Sequence, residues 1–358
     1  MRVLLLADTH IGLDLPLHPR TPRRRRGDDF LANFWAATAL ALRGDVDVVV
    51  HGGDLLDRGR LPNAIVERAL APLTQVANAG IPVYLVPGNH ERSRIPLSLW
   101  TVHPNLHIFR QPATFVHTVG RTRLAISGFP AVRGIRSSFG ATLQATGWQA
   151  ETADIRLLCM HQAIEGSQVG VQNYTFRDGG DVLPTRDLPG GFAAVFSGHI
   201  HRHQVLRQDL RGRRLATPVV YPGSVERTAF AEREETKGYV IAELLPGAAE
   251  GGILSRVQFV PLPVRPMVVL TWVASSMGPT DLRTWLASTL AGLDADAVVS
   301  LRPHGVVPDE IWSVLRAHEL QALTPAGMNV ELSLASAVGP TRRSGKTSRT
   351  RFSSDSAL

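Results

Sequence analysis

Short apolar runs, each closed by turn-forming residues, punctuate the start of the chain. Residues 2–7 are rich in Leu and Val, the pattern of a buried strand. A loop rich in Pro and Arg follows, and Asp28 or Asp29 is placed to cap a helix reaching about Arg43. Residues 46–50 form a second apolar run, which stops at Gly52-Gly53. Residues 62–79 read as a helix, with Pro62 at the start and Gly80 just past the end. Residues 83–86 form a third strand and run into Pro87-Gly88. This alternation predicts an α/β layer with a parallel core.

After residue 105 the pattern shifts toward strands, at 124–127, 155–160, 193–197, 219–221 and 238–244. Pro261, Pro263 and Pro266 punctuate a boundary, so a large domain is expected over 1–262. A β-α-β-α-β pattern follows at 268–273, 281–293, 298–301, 309–322 and 329–334, giving a small second domain over 263–337. Residues 338–358 carry Ser, Thr and Arg with almost nothing apolar, and are expected to be a disordered basic tail. The longest apolar-rich stretch, 31–42, contains Asn33 and Thr38 and falls short of the ~20 residues of a spanning helix. The apolar run after Arg2 is too short for a signal-peptide core. No membrane association is expected, and a cytoplasmic location is.

Composition narrows the picture. Of 358 residues, 44% are hydrophobic and 19% charged, which excludes disorder of the whole chain and fits a sizeable core. Cys159 is the single cysteine, so a disulfide framework and a cysteine-based zinc cluster are both excluded. The net charge is +7, and Lys237 and Lys346 are the only lysines among 38 basic residues. Arg without Lys also follows from GC-rich codon usage, so the charge permits an anionic partner without requiring one. Its placement says more. The five arginines at 20 and 23–26 carry +5 and the tail after Val338 another +4, leaving the rest of the chain at −2 against +7 for the whole.

The strand ends carry candidate ligands: Asp8-Thr9-His10, Gly53-Asp54, Gly88-Asn89-His90-Glu91, His161 and Gly198-His199-Ile200-His201. Imidazole, carboxylate and amide oxygen suit Mn, Fe or Zn without any thiolate. One such Asp or His alone is most often a turn residue or a satisfied hydrogen-bonding group. Five in order, each after an apolar strand, are another matter. The series D-x-H, G-D-x-x-D, G-N-H-E, H, G-H-x-H resembles the calcineurin-like metallophosphoesterase superfamily over residues 1–245. That resemblance implies an α/β fold, a β-sandwich flanked by helices in four layers (αββα), here followed by a small C-terminal α+β capping domain.

It also implies a binuclear site. Asp8, His10, Asp54 and His201 would hold one divalent ion, and Asp54, Asn89, His161 and His199 the other, with Mn2+ the expected metal and Asp54 shared. Two cations about 3.5–4 Å apart clamp the attacking and leaving oxygens of a phosphate ester. His90 would be the general acid, and Asp57 would orient it, unless Asp57 is simply a turn residue.

Within the superfamily the motifs divide. Gly53-Asp54-Leu55-Leu56-Asp57-Arg58-Gly59 and the Glu91 variant resemble protein phosphatases. Ala7 to Gly12, then Arg25, Arg26, Asp28, Asp29 and Phe30, resemble the opening of SbcD-type DNA repair nucleases. Tyr221-Pro222-Gly223-Ser224-Val225-Glu226-Arg227-Thr228 and Lys237-Gly238-Tyr239 resemble that family's later motifs, while Glu91 departs from its usual Asp. The resemblance implies an exo- and endonucleolytic DNA nuclease in double-strand-break repair, a homodimer, and an SbcC-like ATPase partner. Arg23, Arg24, Arg25, Arg26 and Arg58 are candidate contacts to DNA phosphates, with a solvated loop as the plain alternative for the cluster. Gly339 to Thr347 imitates a P-loop with one residue too many between its glycines and no helix after it, so no nucleotide site is expected. Two alternatives stay open: a phosphoprotein phosphatase or small-molecule (cyclic-nucleotide) phosphodiesterase on the same metals, and a noncatalytic DNA-binding scaffold.

Overall fold

Val3 through Leu6 are all fully buried, so the first strand has no solvent face. Strands covered on both sides read as continuous apolar runs rather than alternating ones. The structure, a computed structural model, describes residues 1–19, 23–91, 103–247 and 251–334. Arg20 and the proposed tail from 338 lie outside the described residues. The chain divides into two compact units, Met1–Arg265 and Pro266–Leu358.

In the first unit the order is β1 (Arg2–Leu6), α1 (Arg26–Leu42), β2 (Val48–His51), α2 (Asn63–Asn78), β3 (Val83–Leu85), β4 (Leu106–Ile108), β5 (Ala113–Val119), β6 (Thr122–Gly128), α3 (Ile135–Ala145) and β7 (Ile155–His161). Four two-residue strands follow, β8 (Ala163–Ile164), β9 (Gln168–Val169), β10 (Tyr174–Thr175) and β11 (Val182–Leu183). Then come β12 (Ala194–Gly198), β13 (Gln204–Gln208), β14 (Arg214–Tyr221), β15 (Gly238–Leu245) and β16 (Ile253–Pro261). One six-stranded sheet has the order β16-β15-β1-β2-β3-β4, the other β13-β14-β12-β7-β6-β5. In each, four strands run parallel and the rest are antiparallel at the margins.

Alternate residues of β1 serve two cores. Val3 and Leu5 meet Val48, Val50, Leu157, Cys159, Phe196 and Val220 in the layer between the sheets. Leu4 and Leu6 face outward, with Phe30, Phe34, Leu73 and Val76 of α1 and α2. On the far side Leu158, Met160 and Val195 pack with Ile135, Phe139 and Leu143 of α3. The layers are therefore αββα.

Three local expectations change. The α1 helix starts at Arg26, and its N-cap, Arg25, makes no side-chain cap bond. Asp28 and Asp29 sit in the first turn instead, where they favour the helix dipole. Helix α3 is absent from the sequence pattern, because Ser137, Ser138 and Gly140 weaken its propensity and only Ile135, Phe139 and Leu143 mark its buried face. In the second unit, β17 (Met267–Val273), β18 (Val298–His304) and β19 (Asn329–Leu332) form a parallel sheet with α4 (Pro279–Ala291) between the first two. The helix expected over 309–322 splits into a 3-10 turn, Asp309–Ser313, and α5 (Ala317–Ala322), with Arg316 extended between them. No helix among the described residues is long and apolar enough to cross a membrane.

Phe196 is fully buried in the layer between the sheets. Truncating Phe196→Ala should lower the unfolding free energy by about 3–5 kcal/mol in denaturant titration, through reduced burial and the cavity left behind.

Candidate metal centre

The parallel strands β1, β2, β3, β7 and β12 deliver the ligand-type residues at their carboxyl ends, where open α/β sheets form sites. Beyond β1 and β2 the two chain segments stay zipped. Asp8 N donates to the Gly53 carbonyl at 2.8 Å, His10 N to that of Asp54 at 3.0 Å, and Ile11 N to that of Leu55 at 2.9 Å. In the second sheet His161 at the end of β7 is in register with Gly198 at the end of β12. His199 N then reaches across to Asp8 Oδ1 at 3.0 Å, linking the two sheets.

Backbone strain concentrates here. Asp8, His10, Asp54 and His199 have φ of 51°, 43°, 51° and 80°, and are four of the six non-glycine residues with positive φ among those described. Such conformations cost about 1–3 kcal/mol each and persist where the surroundings over-determine them. Glycines make room: a Cβ on Gly88 would lie 2.1 Å from Asp54 Oδ1, and one on Gly53 would lie 2.3 Å from His161 Nδ1.

Two sets of ligand atoms converge, Asp8 with His10 and His201, and Asp54 with His161 and His199, each within 4.8 Å of one another. In the first, His10 Nε2 and His201 Nε2 are 3.1 Å apart, and His201 Nε2 is 3.9 Å from Asp8 Oδ1. In the second, His161 Nε2 is 3.2 Å from Asp54 Oδ2 and 3.0 Å from Asn89 Oδ1, which also lies 2.9 Å from His199 Nδ1. Asp54 Oδ2 is in addition 4.0 Å from His10 Nε2, so this carboxylate faces both sets. Nitrogen and oxygen donors turned toward shared space are chemistry that fits divalent Mn, Fe or Zn.

The electrostatics are tightly balanced. Burial works to raise Asp54, but His161, with His10 and His90, holds it well below the usual carboxylate range. Burial raises Asp8, with His201 and His161 opposing. For His161, burial opposes the proton, yet Asp54 and Asp8 carry the group up to about 9. Burial and the neighbouring His161 push His199 down to about 3, and burial and His201 push His10 well down.

His90 lies above these sets, 34% exposed, with Nε2 3.9 Å from Asp54 Oδ2. Its Nδ1 is bonded to the main-chain carbonyl of Asp57. Asp57 therefore contacts His90 through its backbone; its carboxylate lies 3.9 Å from Arg58 Nε and groups with His10 and His90. The arginines are occupied by the protein itself. Arg24 pairs with Asp29 at 2.5 Å, Arg25 with Asp14 at 3.3 Å, and Arg26 donates to the Arg227 carbonyl. Arg23 is half-buried and has a partner of its own, and Arg58 is exposed.

Three residues outside the expected ligand set support the site, and of these only Glu91 lies in one of the motifs. His51, fully buried, accepts from Gly53 N on Nδ1 at 3.2 Å and so turns Nε2–H toward Thr9 Oγ1 at 3.1 Å. Glu91 accepts from Leu56 N at 2.6 Å and Gly88 N at 2.7 Å, clamping the Asp54 turn to the Asn89 turn. Burial, then Asp54, raises Glu91 to about 8. Glu232 meets His201 Nδ1 at 2.9 Å. An adjacent cue existed for the last, since its ion-pair partner Lys237 is one of two lysines in an arginine-rich chain.

The family model for calcineurin-like phosphoesterases matches residues 1–203. A DNA double-strand break repair protein Mre11 from Haloferax volcanii is 43% identical over 252 residues, covering 70% of this chain and 51% of that protein. Proteins of the same name from Archaeoglobus fulgidus and Aeropyrum pernix are each 26% identical, covering 67% and 63% of this chain and 53% of each relative. The chain thus spans about half the length of these curated relatives.

Replacing Gly88→Ala forces a carbon into the space of Asp54 Oδ1. Calorimetric titration with Mn2+ should show binding weakened at least tenfold, while the circular dichroism spectrum stays that of the native protein.

Proposed function

This chain belongs to the calcineurin-like phosphoesterase family, and from that premise we propose that it is a DNA nuclease with a binuclear divalent-metal site. It hydrolyses phosphodiester bonds exo- and endonucleolytically in double-strand-break repair. The observation that carries the reading is the convergence of Asp8, His10, Asp54, Asn89, His161, His199 and His201 from both sheets onto one edge. The likeness to a double-strand break repair protein at 43% identity supports the substrate class.

Asp8, His10, Asp54 and His201 would hold one ion, and Asp54, Asn89, His161 and His199 the other, with Mn2+ as the metal. When bound, such ions supply Lewis-acid charge to the phosphodiester and lower the pKa of water toward neutrality. His90 gives its Nδ1–H to the Asp57 carbonyl, which leaves Nε2 directed at the cleft. Protonated there, it is the general acid for the leaving oxygen. Arg23, Arg24, Arg25, Arg26 and Arg58 bind backbone phosphates with the guanidinium donors that their own partners leave over, since each guanidinium carries five. An SbcC-like ATPase partner, a homodimer and a cytoplasmic location belong to the same proposal.

The glutamate at 91 and the Asp54–Gly59 motif favour a second reading, a phosphatase or cyclic-nucleotide phosphodiesterase. Incubation with Mn2+ and an end-labelled DNA duplex separates the two. The nuclease reading expects Mn2+-dependent digestion and two ions per chain. Intact DNA together with turnover of phosphoprotein or cyclic nucleotide selects the phosphatase reading. His90→Ala should cut the cleavage rate by about 10²–10⁴ while Mn2+ and DNA still bind. Wild-type cleavage by that variant at saturating metal removes His90 as the acid.

Salt dependence tests the arginines. Neutralising Arg23–26 should weaken duplex binding and flatten the plot of log affinity against log salt, by about 0.9 for each phosphate that is no longer neutralised. An unchanged slope assigns them to the protein's own ion pairs.

A further inference from the structure

His201 and His161 present Nε2 to their ligand sets, but their other nitrogens are held differently. His161 Nδ1–H donates to the Gly52 carbonyl at 2.8 Å, a neutral main-chain acceptor. His201 Nδ1 faces a carboxylate, Glu232, at the end of the short 3-10 turn Phe230–Glu232.

Glu232 is buried, and its two oxygens are saturated. Oε1 accepts from His201 Nδ1 at 2.9 Å and from the Thr228 hydroxyl at 2.5 Å. Oε2 accepts from Thr228 N at 3.1 Å and from Lys237 Nζ at 2.7 Å. A carboxylate offers about four acceptor sites, and all four are used. The side chain therefore has one orientation. Lys237, with a fully buried ammonium, gives its two other donors to Glu235 Oε2 and the His201 carbonyl, both at 2.9 Å. Glu235 Oε1 in turn takes Arg202 Nε at 3.0 Å. Two carboxylates thus face two cations directly behind His201.

Burying such charges brings no stability in itself, since well-packed apolar residues of similar volume often do as well or better. What the arrangement does accomplish is geometric. A carboxylate on one imidazole nitrogen fixes the tautomer, sets the ring plane and raises the basicity of the other nitrogen, which is what metal-binding histidines use.

We propose that Glu232 is the positioning residue of His201, holding its Nδ1–H and directing the Nε2 lone pair toward Asp8 and His10, and that Lys237 and Thr228 hold Glu232 in place. The inference rests on the divalent-metal reading of the site, and its effect is local. Asp54, Asn89, His161 and His199 make no contact with Glu232 among the hydrogen bonds and ion pairs described. Glu232→Ala should therefore weaken one ion and spare the other.

The test is metal binding, separate from catalysis. Full-length protein, stripped of metal, is titrated with Mn2+ by calorimetry, and bound ions are counted after gel filtration. Wild type should take up two ions. Glu232→Ala should retain one with unchanged affinity and bind the other 10–100-fold more weakly. Two ions with wild-type affinities in the variant overturn this role for Glu232 alone. No Mn2+ uptake by wild type overturns the metal reading as a whole, and this inference with it. Should the variant not fold, nitrogen-15 spectra of histidine-labelled, metal-free wild type at alkaline pH decide the matter. Nδ1–H with a bare Nε2 on His201 is the expected tautomer, and the reverse tautomer overturns the proposal.

Discussion

The buried carboxylate of Asp54 is the group on which the site depends. It is 2% exposed, yet its Oδ2 stands 3.2 Å from His161 Nε2, 3.9 Å from His90 Nε2 and 4.0 Å from His10 Nε2. A carboxylate so far from water must be matched by opposite charge or hydrogen bonds. Here the matching groups come from the loop after β1, from the turn after β3, and from β7 in the other sheet. Its Oδ1 adds a bond from His90 N at 3.0 Å. Holding Asp54 therefore means holding both sheets in register at one edge.

Around that group the protein uses backbone more than side chains. Residues with left-handed φ, glycines too close to their neighbours to bear a Cβ, and main-chain bonds between the loops after β1 and β2 set the positions. Glu91 and His51 complete the work by accepting from N–H groups in the loop after β2 and, for Glu91, in the turn after β3. Each is buried where an unpaired polar group would be costly, and each has its partners. The rigidity is suited to a centre whose ligand atoms must be placed before any ion arrives.

The arginine-rich loop illustrates the competition between internal and external partners. Asp29 takes Arg24 on one oxygen at 2.5 Å and Arg265 on the other at 3.0 Å. Asn33, one turn further along α1, donates to the Val225 and Pro263 carbonyls and to Glu226. Part of this positive charge is thus structural, tying the start of α1 to the 225–227 loop and to the end of the first unit. The excess of charge seen in composition is not the same as charge available to a ligand.

Much of the candidate site was legible in the sequence because its residues lie in short motifs at strand ends. Asp8-Thr9-His10, Gly53-Asp54, Gly88-Asn89-His90-Glu91, His161 and the His199–His201 pair name the ligand types. The apolar runs before them identify buried parallel strands, and the layer order followed from the family resemblance those motifs carry. Period and residue type are local properties, and hydrophobic runs report them directly. Helix α3 escaped because its few apolar positions carry a weak signal, and the 309–322 segment because a break at Arg316 leaves no mark in periodicity. What only the tertiary structure decided is which distant groups support the ligands. The resemblance implied that Asp57 orients His90, but that the contact runs through the Asp57 carbonyl, a group every residue has, no side-chain pattern could reveal. Glu232 reaches His201 across thirty-one residues, through a turn whose path depends on Lys237 and Thr228. The identity of the candidate ligands is written in side-chain chemistry along the chain. Ligand orientation depends on hydrogen-bond partners that only folding brings together.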